Sequence, residues 1–263
     1  MQTTGRRLDN LLVERGLAET RSRAQALIMA GAVRVGDQTV TKAGARFPPD
    51  QSLSVVQGNR FVSRAGEKLD AALDDFGVEV KNRPCLDAGA SAGGFTDVLL
   101  KRGAKKVISA DVGYGQLDWS LRQDPRVTVL ERTNVRHLTG DDLPFAPDLF
   151  VADLSFISLA VALRTLLSTT PSLGEAVVLV KPQFEAGPGL VGRGGLVGDP
   201  EVRARVIQNV ADAFGELGFG AVDLAPAAVT GRKSGNQEYP MRLVRGAEAT
   251  LDEGRVREVV AGA

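Results

Sequence analysis

Apolar residues follow a helical spacing near the start of the chain and a strand–helix repeat after it. In the first thirty residues they recur every three or four positions, which predicts two short helices that end at Gly16 and Gly31. Short β-branched runs then predict strands at residues 33–35, 39–40 and 52–56. The pattern therefore predicts a small α+β domain over residues 1–58, joined by a linker at residues 59–63.

The rest of the chain, residues 64–263, alternates continuous apolar strands with amphipathic helices. The first of these helices is expected to be capped by Ser63 and to end at Gly77. Strands that are apolar throughout, with helices between them, are typical of a parallel sheet that is covered on both faces. We therefore predict a Rossmann-like, doubly wound α/β domain whose sheet is mostly parallel.

Four of the predicted strands end in a charged residue, namely Asp87, Asp111, Asp153 and Lys181. One such charge is explained by a strand that reaches the surface. Ligands of open α/β sheets bind beyond the carboxyl ends of the strands, where these four side chains would meet. The four together predict a charged cleft at this edge of the sheet.

A glycine-rich loop follows the first of these strands and reads Asp87-x-Gly89-x-x-x-Gly93-Gly94. Glycines let the backbone approach a ligand closely, but this register differs from the Gly-x-Gly-x-x-Gly of dinucleotide-binding folds. A carboxylate two residues before the first glycine suits a ligand with a cationic end, such as the aminoacyl part of S-adenosylmethionine. A tight turn without a ligand would use the same residues.

The end of the second strand strengthens the ligand hypothesis. Asp111 lies where a carboxylate accepts hydrogen bonds from a ribose diol, and Asn134, after the third strand, lies where an adenine ring would bind. This arrangement is that of S-adenosylmethionine-dependent methyltransferases. The predicted cofactor-binding residues are Asp87, Gly89, Ser91, Gly93, Gly94, Phe95, Thr96, Asp111, Val112, Asn134 and Asp153.

Two lysines and two carboxylates are candidates for the chemistry. A hydroxyl is a poor methyl acceptor until it loses its proton, and a positioned lysine can assist that loss. Lys68, Asp153, Lys181 and Glu238 are the candidate catalytic residues. Taken alone, Lys68 would be interpreted as a solvated lysine.

Charge is unevenly distributed, although the net charge is zero. Residues 1–62 hold nine basic and five acidic residues, the distribution expected of a small nucleic-acid-binding module. Arg6, Arg7, Arg21 and Arg23 lie at predicted helix starts, where cations oppose the helix dipole. An external anion such as RNA phosphate would explain them, and so would ordinary surface arginines.

The remaining composition limits the function classes. One Cys excludes an intrachain disulfide, and one Cys with one His excludes the usual zinc site, so we expect no metal. His137, the one histidine, lies in a polar stretch and is expected at the surface rather than in a Ser-His-Asp triad. No apolar run is long enough for a membrane span. We therefore expect a cytoplasmic protein, either a monomer or a weak oligomer.

Residues 5–57 resemble the S4 RNA-binding domain in their order Arg-Leu-Asp-x-x-Leu, Ser-Arg-x-x-Ala-x-x-Leu-Ile and Gly-x-Val-x-Val. Six further motifs resemble the TlyA, or haemolysin A-like, family, which joins an S4 domain to an FtsJ-type ribose methyltransferase. They begin at Ser63, Asp87, Asp111, Ala152, Lys181 and Gly235.

The TlyA resemblance implies S-adenosylmethionine-dependent 2′-O-methylation of cytidine in 16S or 23S ribosomal RNA, with ribosomal subunits as partners. The Lys-Asp-Lys-Glu tetrad of FtsJ-type enzymes corresponds to Lys68, Asp153, Lys181 and Glu238. By that resemblance Lys181 activates the 2′-hydroxyl, the two carboxylates orient the lysines, and Lys68 helps to position the ribose.

Other functions are compatible with parts of the sequence. A non-catalytic RNA-binding or ribosome-assembly factor could keep the cofactor fold, although it would have no reason to keep the tetrad. A base methylase would not need two lysines, and a membrane-lytic protein would need a lytic segment that the sequence does not show. The glycine-rich stretch at residues 187–198 is either an RNA-contacting flap or an ordinary loop.

Overall fold

The structure is a computed structural model that describes residues 5–29, 31–55, 60–228 and 235–263. The chain divides into two compact units, residues 1–60 and residues 61–263. The first residue of the predicted linker, and the last of the strand predicted at 52–56, lie outside the described residues. The exact domain boundaries stay a prediction.

The first unit consists of two short helices and small strands. Its elements are β1 (Arg6–Arg7), α1 (Leu8–Glu14), α2 (Arg21–Met29), β2 (Val33–Val35), β3 (Gln38–Thr39), β4 (Arg46–Phe47) and β5 (Leu53–Val55). The strands form a β3-β2-β5 sheet and a separate β1-β4 pair. Thr20 Oγ1 accepts a hydrogen bond from the backbone N–H of Arg23, 3.2 Å away, as expected of a residue that caps α2.

The predicted first helix begins two residues later than expected. Arg6 and Arg7 are extended and pair with Phe47 and Arg46, so the helix starts at Leu8. The periodicity of the leucines identified the helix correctly. It could not detect a strand partner forty residues away.

The second unit is a seven-stranded sheet with helices on both faces. The helices are α3 (Ala65–Asp75), α4 (Gly94–Lys101), α5 (Trp119–Arg122), α6 (Leu159–Thr169), α7 (Pro182–Glu185), α8 (Pro200–Gly215) and α9 (Glu253–Ala261). The strands are β6 (Pro84–Ala88), β7 (Lys106–Ala110), β8 (Val127–Leu130), β9 (Leu149–Ala152), β10 (Glu175–Val180), β11 (Phe219–Leu224) and β12 (Tyr239–Arg245). Four short 3₁₀ turns join them, at Val135–His137, Gly140–Asp142, Pro188–Leu190 and Arg193–Gly195.

The sheet order is β11-β12-β10-β9-β6-β7-β8. The five strands from β10 to β8 are parallel, and β12 pairs antiparallel with both of its neighbours. One face buries Phe150 with Leu163 of α6 and Phe214 of α8, and the other buries Val107 with Leu69 of α3 and Leu99 of α4. The predicted doubly wound, mostly parallel fold is therefore confirmed.

Ser63 has a different role from the expected helix cap. The residue at the start of α3 is Arg64, and no side chain caps this helix. The Ser63 hydroxyl lies instead against Gly94 at the start of α4, where any Cβ would overlap it. Tight packing between the two helix starts has displaced the local capping interaction.

No helix in the described ranges is long and apolar enough to cross a membrane.

We expect Leu163→Ala to lower the free energy of unfolding by about 2–5 kcal/mol, because Leu163 is fully buried between α6 and the sheet. Val161→Ala is the matched control, since Val161 lies on the same helix and is 50% exposed. It should change stability by less than about 0.5 kcal/mol. Urea denaturation followed by circular dichroism measures both, and equal effects would contradict the assigned faces of α6.

Candidate functional site

Two hollows open at the carboxyl edge of the parallel strands. The larger, about 410 Å³, extends from Gly89 and Ser91 past Asp111 to Asn134. The smaller, about 210 Å³, extends from the same loop to residues that include Ser63, Phe95 and Lys181. Gly89, Ser91, Asp153 and Ser155 line both, so the two spaces adjoin. An elongated ligand could therefore occupy both at once.

The loop between β6 and α4 requires its glycines. Gly89 has a φ of +87°, and a Cβ there would lie 2.6 Å from the carbonyl oxygen of Asp153. Gly93 has a φ of +95°, and a Cβ there would overlap the side chain of Leu121. Both positions combine a left-handed backbone with close approach, so a larger residue would be strained at either one.

Asp87 lies beneath this loop rather than in the wall of either hollow. Its side chain is fully buried, and Oδ2 accepts a hydrogen bond of 2.7 Å from the hydroxyl of Thr96, which also contacts the Ser109 hydroxyl. Oδ1 is buried and has no partner among the described residues. Burial, reinforced by the carboxylates of Asp153 and Asp111, raises the pKa of Asp87 to about 7, although the Thr96 hydrogen bond opposes this.

Asp111 and Asn134 line the larger hollow. The two carboxylate oxygens of Asp111 accept hydrogen bonds from the backbone N–H groups of Ser91, at 2.9 Å, and Gly113, at 2.6 Å. These bonds fix the carboxylate while leaving further lone pairs for a ligand. Val112 is exposed at the rim of the same hollow.

The remaining predicted loop residues are divided between lining and support. Gly94 and Phe95 line the smaller hollow, together with Ala65 of α3. Thr96 is fully buried and reaches only Asp87 and Ser109 among the described side chains, so it supports the loop from below.

Two ion pairs involve the four candidate catalytic residues. Lys181 Nζ lies 2.5 Å from Asp153 Oδ1, without the alignment of a hydrogen bond, and donates one of 3.1 Å to Ser155 Oγ. Lys68 Nζ donates to Glu238 Oε2 at 2.5 Å. All four side chains are mostly buried, so each charge has an opposite charge to offset its loss of water.

The sheet register brings the two pairs to the same place. β10 and β12 are antiparallel and end with Val180 opposite Tyr239. Lys181 follows Val180 and Glu238 precedes Tyr239, so the next position of this register sets Lys181 opposite Glu238. Asp153 and Lys181 line the smaller hollow, and Glu238, with its partner Lys68, follows at the next strand position.

Three neighbours of this site had no role assigned from sequence. Ser155 contacts Lys181, as described above. Phe156 is 89% exposed at the rim of the larger hollow, has a φ of +66° and stacks on Phe184 with ring centres 4.8 Å apart. Glu185 accepts a hydrogen bond of 2.8 Å from Leu159 N–H at the start of α6. All lie in motifs that the TlyA resemblance had singled out, which was the available signal.

The arginines predicted to bind RNA lie in the first unit. Arg6 forms an exposed, one-to-one ion pair with Glu14 at 2.7 Å. Arg7 and Arg21 both contact Asp9. Arg23, in the first turn of α2, has no ion pair with any residue in the described ranges.

The glycine-rich loop at residues 187–198 is attached to Asn236, in the segment that precedes β12. Asn236 Oδ1 accepts a hydrogen bond of 3.0 Å from Val197 N–H, and its Nδ2 donates one of 2.7 Å to the carbonyl of Gly195. The loop is therefore anchored at its carboxyl end, close to the ion pairs. Its contact with RNA stays a prediction.

Two family models match the chain. The FtsJ-like methyltransferase model matches residues 61–244, and the S4 domain model matches residues 6–51. The fold and the cleft at its strand ends are thus those of a methyltransferase joined to an S4 domain.

The relatives are consistent with this class. The chain is 51% identical over 235 residues to the Mycobacterium tuberculosis 16S/23S rRNA (cytidine-2′-O)-methyltransferase TlyA, covering 89% of this chain and 87% of the relative. It is 40% identical to hemolysin A of Brachyspira hyodysenteriae, covering 89% of this chain and 97% of the relative. A solved structure of a candidate hemolysin from Streptococcus thermophilus is 36% identical, with a TM-score of 0.75, and the match covers 99% of this chain and 96% of that structure. The chain belongs to the TlyA family of FtsJ-like methyltransferases.

We expect Asp87→Asn to change the pH dependence of stability. Between the ordinary carboxyl pKa, about 4, and a native pKa of about 7, the folded protein holds a proton that the unfolded chain releases. The stability of the unmodified protein should therefore fall by a few kcal/mol as the pH rises from about 4 to about 7.

The Asp87→Asn variant lacks this titration, so its stability should not fall in this way. The difference in free energy of unfolding between the variant and the unmodified protein should therefore shift in favour of the variant as the pH rises. Urea denaturation of both proteins at pH 5 and pH 8 measures the difference. Parallel pH profiles would show that Asp87 is ionised in the folded state.

Proposed function

We propose that this protein transfers a methyl group from S-adenosylmethionine to the 2′-hydroxyl of a cytidine in ribosomal RNA. The observations that carry the proposal are the ion pairs Lys68–Glu238 and Lys181–Asp153, of which the second lines the smaller hollow beside the glycine loop. The name of the M. tuberculosis relative supports the choice of ribosomal RNA and of cytidine.

The loop and its hollows suit this cofactor. S-adenosylmethionine supplies a methyl group already activated by a sulfonium centre. Its adenosine part matches the larger hollow, where the Asp111 carboxylate can accept from ribose hydroxyls and Asn134 can bind the base. Oδ1 of Asp87, which has no hydrogen-bond partner in the part of the chain that the structure describes, lies beneath the loop and suits a cationic amino group reached through water.

The other proposed cofactor contacts come from the loop backbone and its flanks, at Gly89, Ser91, Gly93, Gly94, Phe95, Thr96, Val112 and Asp153. Of these, Gly93 and Thr96 contribute indirectly, because they hold the shape of the loop.

The catalytic roles follow from which atoms are paired. Lys181, once its Nζ has released a proton to solvent, would take the 2′-hydroxyl proton as the ribose oxygen gains the methyl group and the bond from that methyl group to the sulfonium sulfur breaks. Asp153 and Ser155 hold Nζ at the wall of the hollow, which fixes where the hydroxyl must lie. Glu238 orients Lys68, whose ammonium holds the ribose. Such positioning contributes a large part of the rate of an in-line transfer.

The proposed setting is the cytoplasm, with ribosomal subunits as partners and the S4 unit supplying RNA contacts through Arg6, Arg7, Arg21 and Arg23. We propose a monomer or a weak oligomer. Lysis of membranes has no support in the helices that the structure describes.

We expect Gly89→Ala to abolish measurable S-adenosylmethionine binding, because the new Cβ would press on the Asp153 carbonyl and disfavour the positive φ. Gly215→Ala is the matched control, since a Cβ there meets nothing within 4 Å at the end of α8. Isothermal titration calorimetry measures both, with circular dichroism to verify folding. Unchanged affinity in a folded Gly89→Ala protein would place the cofactor elsewhere.

We expect Lys181→Ala to lower methyl transfer by about 10²–10⁴-fold while cofactor affinity is retained. Lys181→Arg should be almost as inactive, because a guanidinium keeps the charge but does not accept a proton. The assay uses labelled S-adenosylmethionine with purified bacterial 30S and 50S subunits, followed by nuclease digestion and mass spectrometry of the nucleosides.

The product decides between the functions. A 2′-O-methylcytidine that is absent with both Lys181 variants supports the proposed reaction and the proton-acceptor role. Methyl on a base would overturn the ribose mechanism, and an active Lys181→Arg would reduce the role of Lys181 to its charge. If the protein binds the cofactor but methylates neither subunit, the assembled subunits are not its substrates. If it does not bind the cofactor, a non-catalytic RNA-binding factor is favoured.

A further inference from the structure

Asp9, a buried acid in the first unit, joins two of the predicted RNA-binding arginines. Its side chain is fully buried between α1 and α2. Oδ1 accepts hydrogen bonds of 3.0 Å from Arg7 Nε and from Asn10 N–H. Oδ2 accepts three more, from Arg7 Nη2 at 2.8 Å, Gln25 Nε2 at 2.9 Å and Arg21 Nε at 3.1 Å. The two oxygens of this carboxylate thus accept five hydrogen bonds in total.

These contacts keep the acid ionised. The hydrogen bonds from Arg7, followed by those from Gln25 and Arg21, hold the pKa of Asp9 well below its usual range, although burial opposes them. Asp9 therefore remains a fixed negative charge wherever RNA is bound. A buried charge of this kind needs partners, and here two cations share one anion.

The sharing leaves positive charge and hydrogen-bond donors directed away from Asp9. Arg7 uses Nε and Nη2, so Nη1 remains, and Arg21 uses only Nε, so both terminal nitrogens remain. These nitrogens donate to no residue in the described ranges. The side chains are 36% and 56% exposed, so solvent or a ligand can reach them.

Arg6 provides the contrast within the same unit. It pairs with Glu14 one to one, and both side chains are exposed, so the pair is close to neutral and its geometry is only weakly held. Arg7 and Arg21 instead carry one net positive charge on side chains already fixed by a buried partner. Fixing long side chains in advance lowers the entropy lost when a ligand binds them.

We propose that Asp9 is a positioning residue for RNA binding, which holds Arg7 and Arg21 side by side so that their remaining N–H groups bind one phosphodiester segment. The inference rests on the proposed function only in that RNA is the substrate. Guanidinium groups bind phosphate through paired N–H donors, and a second arginine held beside the first extends that contact.

Asp9→Asn separates positioning from charge. The variant gains one unit of positive charge, so a surface that attracts RNA by charge alone would bind more tightly and with a steeper salt dependence. Positioning predicts the reverse: binding weaker by about tenfold, with a salt slope lower by about one. Fluorescence anisotropy of labelled protein titrated with purified bacterial 30S and 50S subunits measures both quantities.

If Asp9→Asn unfolds the unit, two variants that conserve charge test the positioning role instead. Arg21→Lys keeps the charge, but one ammonium cannot contact Asp9 and a phosphate in the same forked geometry. Arg34→Lys is the matched control, since Arg34 is an exposed arginine of β2 without a contact to Asp9. We expect about tenfold weaker binding for Arg21→Lys and less than twofold for Arg34→Lys.

Each outcome has a distinct meaning. Subunit binding that is unchanged or tighter in a folded Asp9→Asn protein, or equal in the two Lys variants, overturns the positioning role while leaving the proposed function intact. Failure of the unmodified protein to bind either subunit overturns the proposed function, and the inference with it. S-adenosylmethionine affinity should be the same in all variants, because Asp9 and both arginines lie in the first unit.

Discussion

The parallel pairing of β6 with its neighbours β7 and β9 determines where the chemistry of this molecule can lie. Parallel strands have their carboxyl ends at the same edge, so the residues that follow them are brought together. Asp87, Asp111 and Asp153 come from three such strands. Because these strands are buried on both faces, the edge is the one place where they can present polar groups to a ligand.

Placing several carboxylates at one buried edge is electrostatically unfavourable unless each is satisfied. The charge of Asp153 is balanced by Lys181, and Asp111 accepts hydrogen bonds from two backbone N–H groups. Burial raises the pKa of Asp87, its two like-charged neighbours raise it further, and its hydrogen bonds from Thr96 oppose the rise. The most deeply buried of the three acids therefore lies beneath the loop where a cationic cofactor group would compensate its charge.

The two units use buried charge differently. In the second unit each of two lysines has its own carboxylate, so the charges of the two ion pairs balance. In the first unit one carboxylate serves two arginines and leaves a net positive charge. Equal numbers of opposite charges suit a mostly buried site, whereas an excess of cations suits a polyanion at an exposed surface.

The sequence by itself determined the strand–helix alternation, the glycine loop and the charged strand ends, because these depend on periodicity and on local backbone requirements. The sequence also placed Lys68 and Glu238 in motifs. Interpreted alone, however, Lys68 was a solvated lysine, and no local signal paired it with Glu238, an acid 170 positions away. Only the tertiary structure decided that pairing, through the packing of α3 against β10 and β12. It likewise turned Ser63 from a cap into a packing residue and joined Arg7 to Arg21 through Asp9, because contacts between distant segments override local preferences.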